Sequence, residues 1–287
     1  MTTDFDAVVV GAGFGGLSML QNLRQLDMSV KVFERGDGVG GTWYWNRYPG
    51  ARCDSESVYY MFSDHFSPQI LDEWTWSERF AAQPEILDYL NFVTDKMDLR
   101  RDIQFGTAVT GAVYDEANNR WEITTDDGGT TTARYLVTAV GCISTTNLPA
   151  FPGLADYAGE RYHTGAWPHE PVDFGGKRVA VIGTGATGVQ AIPEIGGAPR
   201  RLPTHARLRH PGPQRPLDTE YVQEVKAHYP ELWEKVRASG FGLPYRLVDH
   251  VPVGWLCTAT YNAVHDADER ERGAGDPARG ARSGRAR

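Results

Sequence analysis

The chain has 287 residues, a formal net charge of −8 and 41% hydrophobic residues, so it is long enough and apolar enough to form two globular domains. The acidic balance argues against a nucleic-acid-binding protein, and no apolar span has the length that a membrane helix needs. Because a strand-like run follows the first residues without a signal-peptide pattern, we expect a cytoplasmic protein with neither a nucleic-acid nor a membrane partner.

A strand, a glycine-rich turn and a helix are predicted at the start of the chain. Residues 8–10 are three valines, typical of a buried parallel strand, and Gly11, Gly13 and Gly16 follow in a G-x-G-x-x-G pattern before an apolar helical face. Glu34 ends the next predicted strand, at the spacing where a carboxylate accepts ribose hydroxyls. This context favours a dinucleotide site, although such a turn can also serve only to pack a helix on a sheet.

The loop at residues 38–54 combines glycines with aromatic residues. Gly40 and Gly41 leave the backbone open to a flat ligand, and Trp43, Tyr44 and Trp45 follow directly. Two roles stay open for these aromatic residues. They could enclose an aromatic ring system, or they could anchor the loop to the core.

The cysteines exclude two kinds of site. Cys53, Cys142 and Cys257 are too few and too scattered for a disulfide framework or a zinc site, so no metal is expected. Cys53 is also alone in its loop, whereas flavoprotein disulfide reductases carry a cysteine pair after the corresponding glycines, so dithiol chemistry is not expected.

The middle of the chain predicts a helix and then a β-meander. Residues 74–99 are helical in composition, with Pro84 suited to a first turn and an apolar face formed by Ile86, Leu87, Leu90, Phe92 and Val93. Residues 103–140 alternate as strands do, with a hairpin turn at 126–129 and a last strand that returns toward the first glycine turn at Gly141. The residues expected to point inward are Val109, Val113, Trp121, Ile123, Tyr135 and Val137.

The opening pattern occurs a second time. Residues 178–182 predict a buried strand, and Gly183, Gly185 and Gly188 form another G-x-G-x-x-G before an apolar helix. Two such turns indicate two dinucleotides. We therefore predict an α/β protein with two Rossmann-type dinucleotide-binding domains and a β-meander, the second domain being incomplete.

The predicted domains are residues 1–150 and 151–250, and the second is irregular. Residues 196–216 contain five prolines and five arginines, which cannot form the buried second strand that a Rossmann unit needs. Residues 251–287 are predicted to be an irregular tail, and disorder is expected from residue 266 on, where no aliphatic residue is larger than alanine. Reading-frame shifts in the coding sequence would account for this pattern, a hypothesis that resequencing the gene tests.

Two longer motifs resemble a known family. Gly40-Gly41-x-Trp43-x4-Tyr48-Pro49-Gly50-x3-Asp54 resembles the corresponding loop of Baeyer–Villiger monooxygenases, the flavin enzymes typified by cyclohexanone and steroid monooxygenases. The run from Tyr157 through Gly159, His163, Trp167 and Pro168 resembles the fingerprint that separates these enzymes from other flavin monooxygenases, with Tyr157 where the family usually has phenylalanine. The resemblance covers residues 5–195 and part of 215–247, and family members are roughly twice as long.

The resemblance implies FAD at the first turn and NADPH at the second, with a small-molecule ketone and O2 as the reactants. It implies that one oxygen atom is inserted next to the ketone carbonyl through a flavin C4a-peroxide, which yields an ester or lactone. The implied FAD-side residues, with Arg52 and Cys53 at the nicotinamide edge, are Gly11, Gly13, Phe14, Gly15, Gly16, Glu34, Arg35, Gly41, Thr42, Trp43, Tyr44, Trp45, Arg52, Cys53, Asp54, Tyr60, Val109 and Gly141. The implied NADPH-side residues are Gly183, Thr184, Gly185, Ala186, Thr187, Gly188 and Gln190.

Two residues receive a more specific role from the resemblance. Asp54 is the catalytic candidate, holding a family arginine that lies beyond this chain through a charge-assisted bond; the alternative is a loop-capping carboxylate. His163 is expected to link the domains rather than transfer a proton, since an interdomain linker must bend while cofactor and substrate exchange. A satisfied structural histidine is the ordinary alternative.

Three functions remain open at this point. The first is ketone oxygenation, which the fingerprint favours. The second is oxygenation of a nitrogen or sulfur atom, as in related flavin monooxygenases. The third is an incomplete flavoprotein that binds FAD weakly or not at all. The family residues that bind the 2′-phosphate of NADPH cannot be carried over, and charge alone suggests Arg200, Arg201, Arg207 and Arg209 as substitutes.

Overall fold

A six-stranded sheet organises the chain. The computed structural model describes residues 3–197 and 215–238. The strands are β1 (Phe5–Val10), β2 (Val30–Phe33), β3 (Ile103–Gln104), β4 (Val109–Asp115), β5 (Arg120–Thr125) and β6 (Thr130–Thr138), in the spatial order β3-β2-β1-β6-β5-β4. β1 pairs in parallel with β2 and β6, whereas β4, β5 and β6 pair antiparallel. The predicted α/β fold is confirmed, and the meander extends the parallel sheet.

The central strand β1 is buried on both faces, which explains its uninterrupted valines. Ala7 and Val9 pack into the larger hydrophobic cluster together with helix α1 (Phe14–Gln25). Val8 packs on the opposite face with Ile123 of β5 and Ala133 of β6. A strand covered on both faces has no polar side to present.

Two residues predicted to point inward from the meander are in fact exposed. Val113 is 69% exposed because the pairing of β4 with β5 shifts register between Val109 and Gly111. Such an irregularity reverses the inward and outward positions that follow it, so Ala112 packs inward instead. Tyr135 is 45% exposed, with its ring beneath the guanidinium of Arg134 at 5.0 Å.

The helical region is shorter than predicted. The helices are α2 (Thr42–Trp45), α3 (Pro68–Glu73) and α4 (Gln83–Lys96), so the helix expected from residue 74 begins only at Gln83. Pro84 lies in its first turn as expected, and Tyr89 joins the predicted apolar face in the core. Residues 74–82 contain no helix, and Trp76 and Phe80 are buried there.

Helices α6 (Thr219–Ala227) and α7 (Tyr229–Ala238) pack against residues of the predicted first domain. Tyr229 and Trp233 belong to the larger hydrophobic cluster, and Arg237 forms an ion pair with Asp64 at 3.1 Å. The domain limits at residues 150 and 250 stay a prediction, although these two helices lie within the predicted second domain in sequence.

The predicted strand at residues 178–182 is wrong for this structure. These residues form no strand, and Val179, Val181 and Ile182 are 44%, 41% and 78% exposed. A strand requires hydrogen-bonding neighbours, and none of the described strands pairs with this segment. The helix after it, α5 (Ala186–Gly196), is present as predicted.

Some predictions lie outside the described residues. These are most of the irregular stretch at 196–216 with its four candidate arginines, the tail at 251–287, and Cys257. Among the helices that the structure describes, none is long and apolar enough to cross a membrane.

Candidate functional site

The first glycine turn, residues 11–16, brings the end of β1 against the start of α1. Gly11 has φ +102°, and a Cβ on Gly16 would lie 1.8 Å from the carbonyl oxygen of Gly11. A Cβ on Gly11 would lie 2.6 Å from the carbonyl oxygen of Ala139, just beyond β6. Only glycine fits at these two positions, so the last strand does return to the turn as predicted.

Glu34 lies buried beneath the first glycine turn. One carboxylate oxygen accepts from the backbone N–H of Ala12 at 2.7 Å, and the other accepts from Gly36 at 2.7 Å. The residue is only 5% exposed. A carboxylate oxygen can accept more than one hydrogen bond, so both oxygens keep capacity for ligand hydroxyls.

The loop glycines lie directly on the first glycine turn. Gly41 has φ +53°, and a Cβ added to it would be 2.8 Å from the Cα of Gly13. The backbone N–H of Gly40 donates to Ala12 at 3.0 Å. A side chain at position 41 would therefore separate the loop from the turn.

The aromatic residues of this loop anchor it to the protein. Trp43 is 8% exposed and donates its indole N–H to the hydroxyl of Tyr60 at 3.1 Å. Burial raises the pKa of Tyr60 to about 12, and its ring meets Phe14 edge-on with 5.0 Å between centroids. Trp43 therefore anchors the loop, and its part in enclosing a ring system stays a prediction.

The other two aromatic residues stabilise the backbone around Glu34. A Cβ on Gly36 would lie only 2.7 Å from the Tyr44 ring. The Tyr44 hydroxyl accepts a hydrogen bond from the backbone N–H of Asp37 at 3.2 Å. Trp45 lies under the guanidinium of Arg35 at 4.6 Å. Neighbouring Thr42 accepts through its backbone oxygen from Asn46 at 2.8 Å.

Three consecutive predicted site residues have different environments. Arg52 donates to the carboxylate of Glu78 at 2.9 Å and to the carbonyl of Phe80 at 2.8 Å. Cys53 is 3% exposed, and burial raises the pKa of its thiol to about 12. Asp54 is exposed, and its carboxylate makes no hydrogen bond or ion pair with a described residue. This disfavours a loop-capping role for Asp54, while its partnership with an arginine stays a prediction.

The fingerprint residues His163 and Trp167 flank a short turn. His163 accepts at Nδ1 from the backbone N–H of Gly165 at 3.0 Å and so caps a 3₁₀ turn, Thr164–Ala166. Trp167 packs near Tyr162, at 5.4 Å between rings, and Pro168 is half-buried. Gly159, in contrast, is exposed.

The residue after the fingerprint reaches the aromatic loop. His169 meets the ring of Tyr44 edge-on at 5.2 Å between centroids. His163 therefore has a satisfied structural hydrogen bond, and its role in linking the domains stays a prediction.

The second glycine turn, residues 183–188, repeats the local geometry of the first. Gly183 has φ +116°, and a Cβ on Gly188 would lie 2.7 Å from the Gly183 carbonyl oxygen. Thr184, Gly185 and Ala186 are exposed before and at the start of α5. The turn is thus formed even though the residues before it are not in a strand.

The side chain of Gln190 faces the first site. Its Oε1 accepts from the Tyr48 hydroxyl at 2.8 Å, and its Nε2 donates to the Arg52 carbonyl at 3.1 Å. Thr187, one turn earlier on α5, also interacts with the Tyr48 hydroxyl. Tyr48 belongs to the glycine–aromatic motif but was not among the predicted site residues, and that motif is the signal in the sequence that could have identified it.

Two predicted FAD contacts lie at the ends of the meander. Val109 begins β4, half-buried and paired with Thr125. Gly141 lies two residues beyond Ala139, is exposed and has φ +75°. A tight turn after β6 is therefore present where the resemblance places it. Among the described residues, no group of three or more metal-binding side chains is placed to hold a metal ion.

A family model described as FMO-like, flavin-binding monooxygenase-like, matches residues 6–202. The chain belongs to this family. It is 46% identical over 240 residues to a Baeyer–Villiger monooxygenase of Pseudooceanicola batsensis, covering 82% of this chain and 44% of that protein. It is 44% identical over 241 residues to a phenazine N-monooxygenase of Lysobacter antibioticus, covering 83% and 44%.

Solved structures of this flavin-binding monooxygenase-like family share the fold. An oxidized steroid monooxygenase bound to NADP is 47% identical to this chain, with a TM-score of 0.80. The match covers 93% of this chain and 51% of the steroid monooxygenase chain. The resemblance to Baeyer–Villiger monooxygenases is confirmed. The chain spans about half the length of the curated relatives that it matches.

Proposed function

We propose that this chain is part of an FAD- and NADPH-dependent monooxygenase that inserts one oxygen atom of O2 next to a ketone carbonyl and forms an ester or lactone. The observation that carries the proposal is the first glycine turn, enclosed by Glu34 below and by Gly41 above. Membership of a family that includes a Baeyer–Villiger monooxygenase supports this reaction over other uses of a dinucleotide site.

The first site fits the adenosine diphosphate part of FAD. The turn leads into the 12-residue helix α1, whose N-terminal N–H groups favour a pyrophosphate. The close contact of Gly13 with Gly41 leaves no Cβ atoms between the two backbones. Glu34, fixed by two backbone donors, would accept the ribose hydroxyls.

The second site fits the pyrophosphate of NADPH in the same way. Thr184, Gly185 and Ala186 present exposed backbone at the start of the 11-residue helix α5. The steroid monooxygenase relative was solved with NADP, which supports this choice of nucleotide. Residues that would bind the 2′-phosphate are not assigned.

The protein's own contribution is to bind, orient and shield the reactants. The flavin, when bound, supplies the redox chemistry between NADPH, O2 and the ketone. Trp43 and Tyr60 hold the loop against the core, and buried Cys53 is a neutral thiol that takes no part in redox chemistry. The exposed carboxylate of Asp54 would hold an arginine from outside this chain by a charge-assisted bond.

A second function has specific support. The phenazine N-monooxygenase is nearly as similar to this chain as the Baeyer–Villiger relative, so oxygenation of a nitrogen atom is the second candidate. Sulfur oxygenation would use the same cofactors. A third candidate is an incomplete flavoprotein that binds FAD weakly or not at all and catalyses nothing, which the exposed residues 178–182 favour.

One experiment separates these candidates. The purified chain is examined for a flavin absorbance band, for bleaching of that band by NADPH, and for products formed from a cyclic ketone, an aromatic amine and a thioether. We expect bound flavin that NADPH bleaches, and an ester or lactone as the product. Exclusive N- or S-oxide formation would establish the second function, and a preparation that binds no added FAD would defeat the proposal for this chain.

A further inference from the structure

The side chain of Gln190 attaches the helix after the second glycine turn to the loop of the first site. The Gln190 link, as we define it, comprises three contacts of its amide. Oε1 accepts from the Tyr48 hydroxyl at 2.8 Å and, at a longer 3.4 Å, from the Arg52 N–H, while Nε2 donates to the Arg52 carbonyl at 3.1 Å. Both ends of the amide are therefore used within the protein.

We propose that Gln190 is a positioning residue that orients the second glycine turn toward the first site through Tyr48 and Arg52. A role in orienting NADPH rests on the proposed function, whereas the attachment of α5 to the loop does not. The resemblance assigned Gln190 to cofactor binding. The geometry instead directs its amide toward protein groups on the loop.

The backbone of the loop is in direct contact with α5. Gly50 has φ +77°, and a Cβ on it would lie 2.4 Å from the Gln190 carbonyl oxygen and 2.8 Å from Cγ of Glu194. Such a close approach requires glycine. The helix thus packs on the loop at the same place where the Gln190 side chain bonds to it.

Tyr48 is suited to act as a permanent donor to Gln190. It is half-buried, and burial raises the pKa of its phenol, with the charge of Asp54 raising it further. The hydroxyl therefore stays protonated throughout the neutral pH range. The amide of Gln190 has one orientation, because its oxygen must face the Tyr48 hydroxyl and its nitrogen must face the Arg52 carbonyl.

The loop that receives Gln190 is itself fixed to the first domain. The guanidinium of Arg52 bonds to Glu78 and to the carbonyl of Phe80. The adjacent backbone continues this attachment, since Cys53 donates to Ala81 at 2.9 Å and Gln83 donates to Ala51 at 2.8 Å. A helix bonded to residues 48–52 is therefore bonded to a fixed part of the protein.

The link matters because the segment before α5 joins none of the strands in the part of the chain that the structure describes. In an ordinary Rossmann unit the preceding strand fixes the helix, but residues 178–182 pair with none of the described strands. The contacts of Gln190 and Gly50 therefore help to hold α5 in place, a role that an adjacent strand has in an ordinary Rossmann unit. Loss of the link should free α5 without unfolding the first domain.

The test compares hydrogen exchange of the α5 amides, residues 186–196, in the wild type, Gln190→Met, Tyr48→Phe and the double variant. Loss of one or two neutral hydrogen bonds should speed exchange in α5 by about 5- to 30-fold. The effect of the double variant should be smaller than the product of the two single effects, because Tyr48 and Gln190 share one hydrogen bond, while the contact of Tyr48 with Thr187 is lost only with Tyr48→Phe. Exposed Gln223 in the middle of α6 provides a matched control, and Gln223→Met should leave α5 unchanged.

Two results would overturn the positioning role. One is unchanged α5 exchange in Gln190→Met, and the other is an additive effect of the two substitutions. If Gln190→Met does not fold, Tyr48→Phe decides alone, since it keeps the ring and removes only the hydroxyl, which bonds to Gln190 and interacts with Thr187 on the same helix. The urea midpoint of the first domain should be unchanged, which separates a local role from a general loss of stability.

A second measurement connects the link to the nucleotide. In flavin-loaded protein, Gln190→Met should reduce flavin more slowly at saturating NADPH, by about tenfold, while the Kd for FAD stays within about twofold of the wild type. An unchanged reduction rate would overturn the proposal that Gln190 helps to orient NADPH and would leave it with a structural role only. If the wild type binds no flavin, the proposed function fails, and hydrogen exchange still decides the link.

Discussion

The carboxylate of Glu34 accepts a hydrogen bond from the backbone N–H of Ala12 at 2.7 Å, which ties the end of β2 to the first glycine turn. Its second oxygen accepts from Gly36 at 2.7 Å, so one buried side chain connects two backbone segments. A carboxylate accepts at both oxygens, and no other common side chain of this length does so without also donating. The geometry of the turn therefore depends on the charge of Glu34.

Replacement of this carboxylate by an amide should be destabilising. In Glu34→Gln, the NH2 group must face one of the two backbone donors, which leaves that buried N–H without a partner. We expect the free energy of unfolding to fall by about 1–3 kcal/mol, measured by urea denaturation. FAD affinity, measured by fluorescence titration, should fall as well, because a ribose acceptor is lost. Glu116→Gln, at an exposed position, is the control and should change neither quantity. Equal stability of the two variants would contradict the bonding described for Glu34.

The two neighbouring glycines of α1 should respond to alanine in opposite directions. A Cβ on Gly16 would lie 1.8 Å from the Gly11 carbonyl oxygen, a clash between backbone segments that no side-chain movement relieves. A Cβ on Gly15 would meet only the Ala139 Cβ at 3.9 Å, an ordinary contact. Gly16→Ala should therefore lose both flavin binding and cooperative unfolding. Gly15→Ala should unfold at a higher urea concentration, because alanine favours a helix. The free energy of unfolding should rise by about 0.5–1 kcal/mol. A stable Gly16→Ala protein that still binds FAD would contradict the packing of this turn.

The two described cysteines should differ in their reaction with alkylating agents. Cys53 is 3% exposed, and burial raises the pKa of its thiol to about 12, so it stays protonated between pH 7 and pH 9. Cys142 is exposed. Iodoacetamide followed by peptide mapping should show modification of Cys142 and none of Cys53 until the protein unfolds.

The raised pKa of the Cys53 thiol also determines how the stability of the protein changes with pH. The folded pKa of Cys53 lies above the unfolded value near 9, so this thiol contributes stability below pH 9 that is lost as the pH rises toward 12. Urea, added as a control at pH 8, should make Cys53 reactive. Modification of Cys53 in the native protein at pH 8 would show that its loop opens.

Features that depend on local sterics could be predicted from the amino-acid sequence alone. Gly11 and Gly16 are required wherever a strand passes into a helix at this spacing, and the valines of β1 require cover on both faces. The position of Glu34 follows from the length of one strand–helix–strand unit. The two turns, the parallel sheet and the family could therefore be predicted from residues that are close together in the chain.

Other features depend on contacts between residues that are far apart in the sequence, so they become visible only in the folded structure. A register shift after Val109 turned Val113 outward, and the alternation of apolar residues contains no signal for such a shift. Residues 178–182 have the composition of a strand but lie exposed, because pairing depends on neighbours rather than on composition. Tyr48 and Gln190 meet across 142 residues of sequence. Periodicity describes which face of an element is apolar, whereas the partner of a polar side chain is chosen by the packing of whole elements.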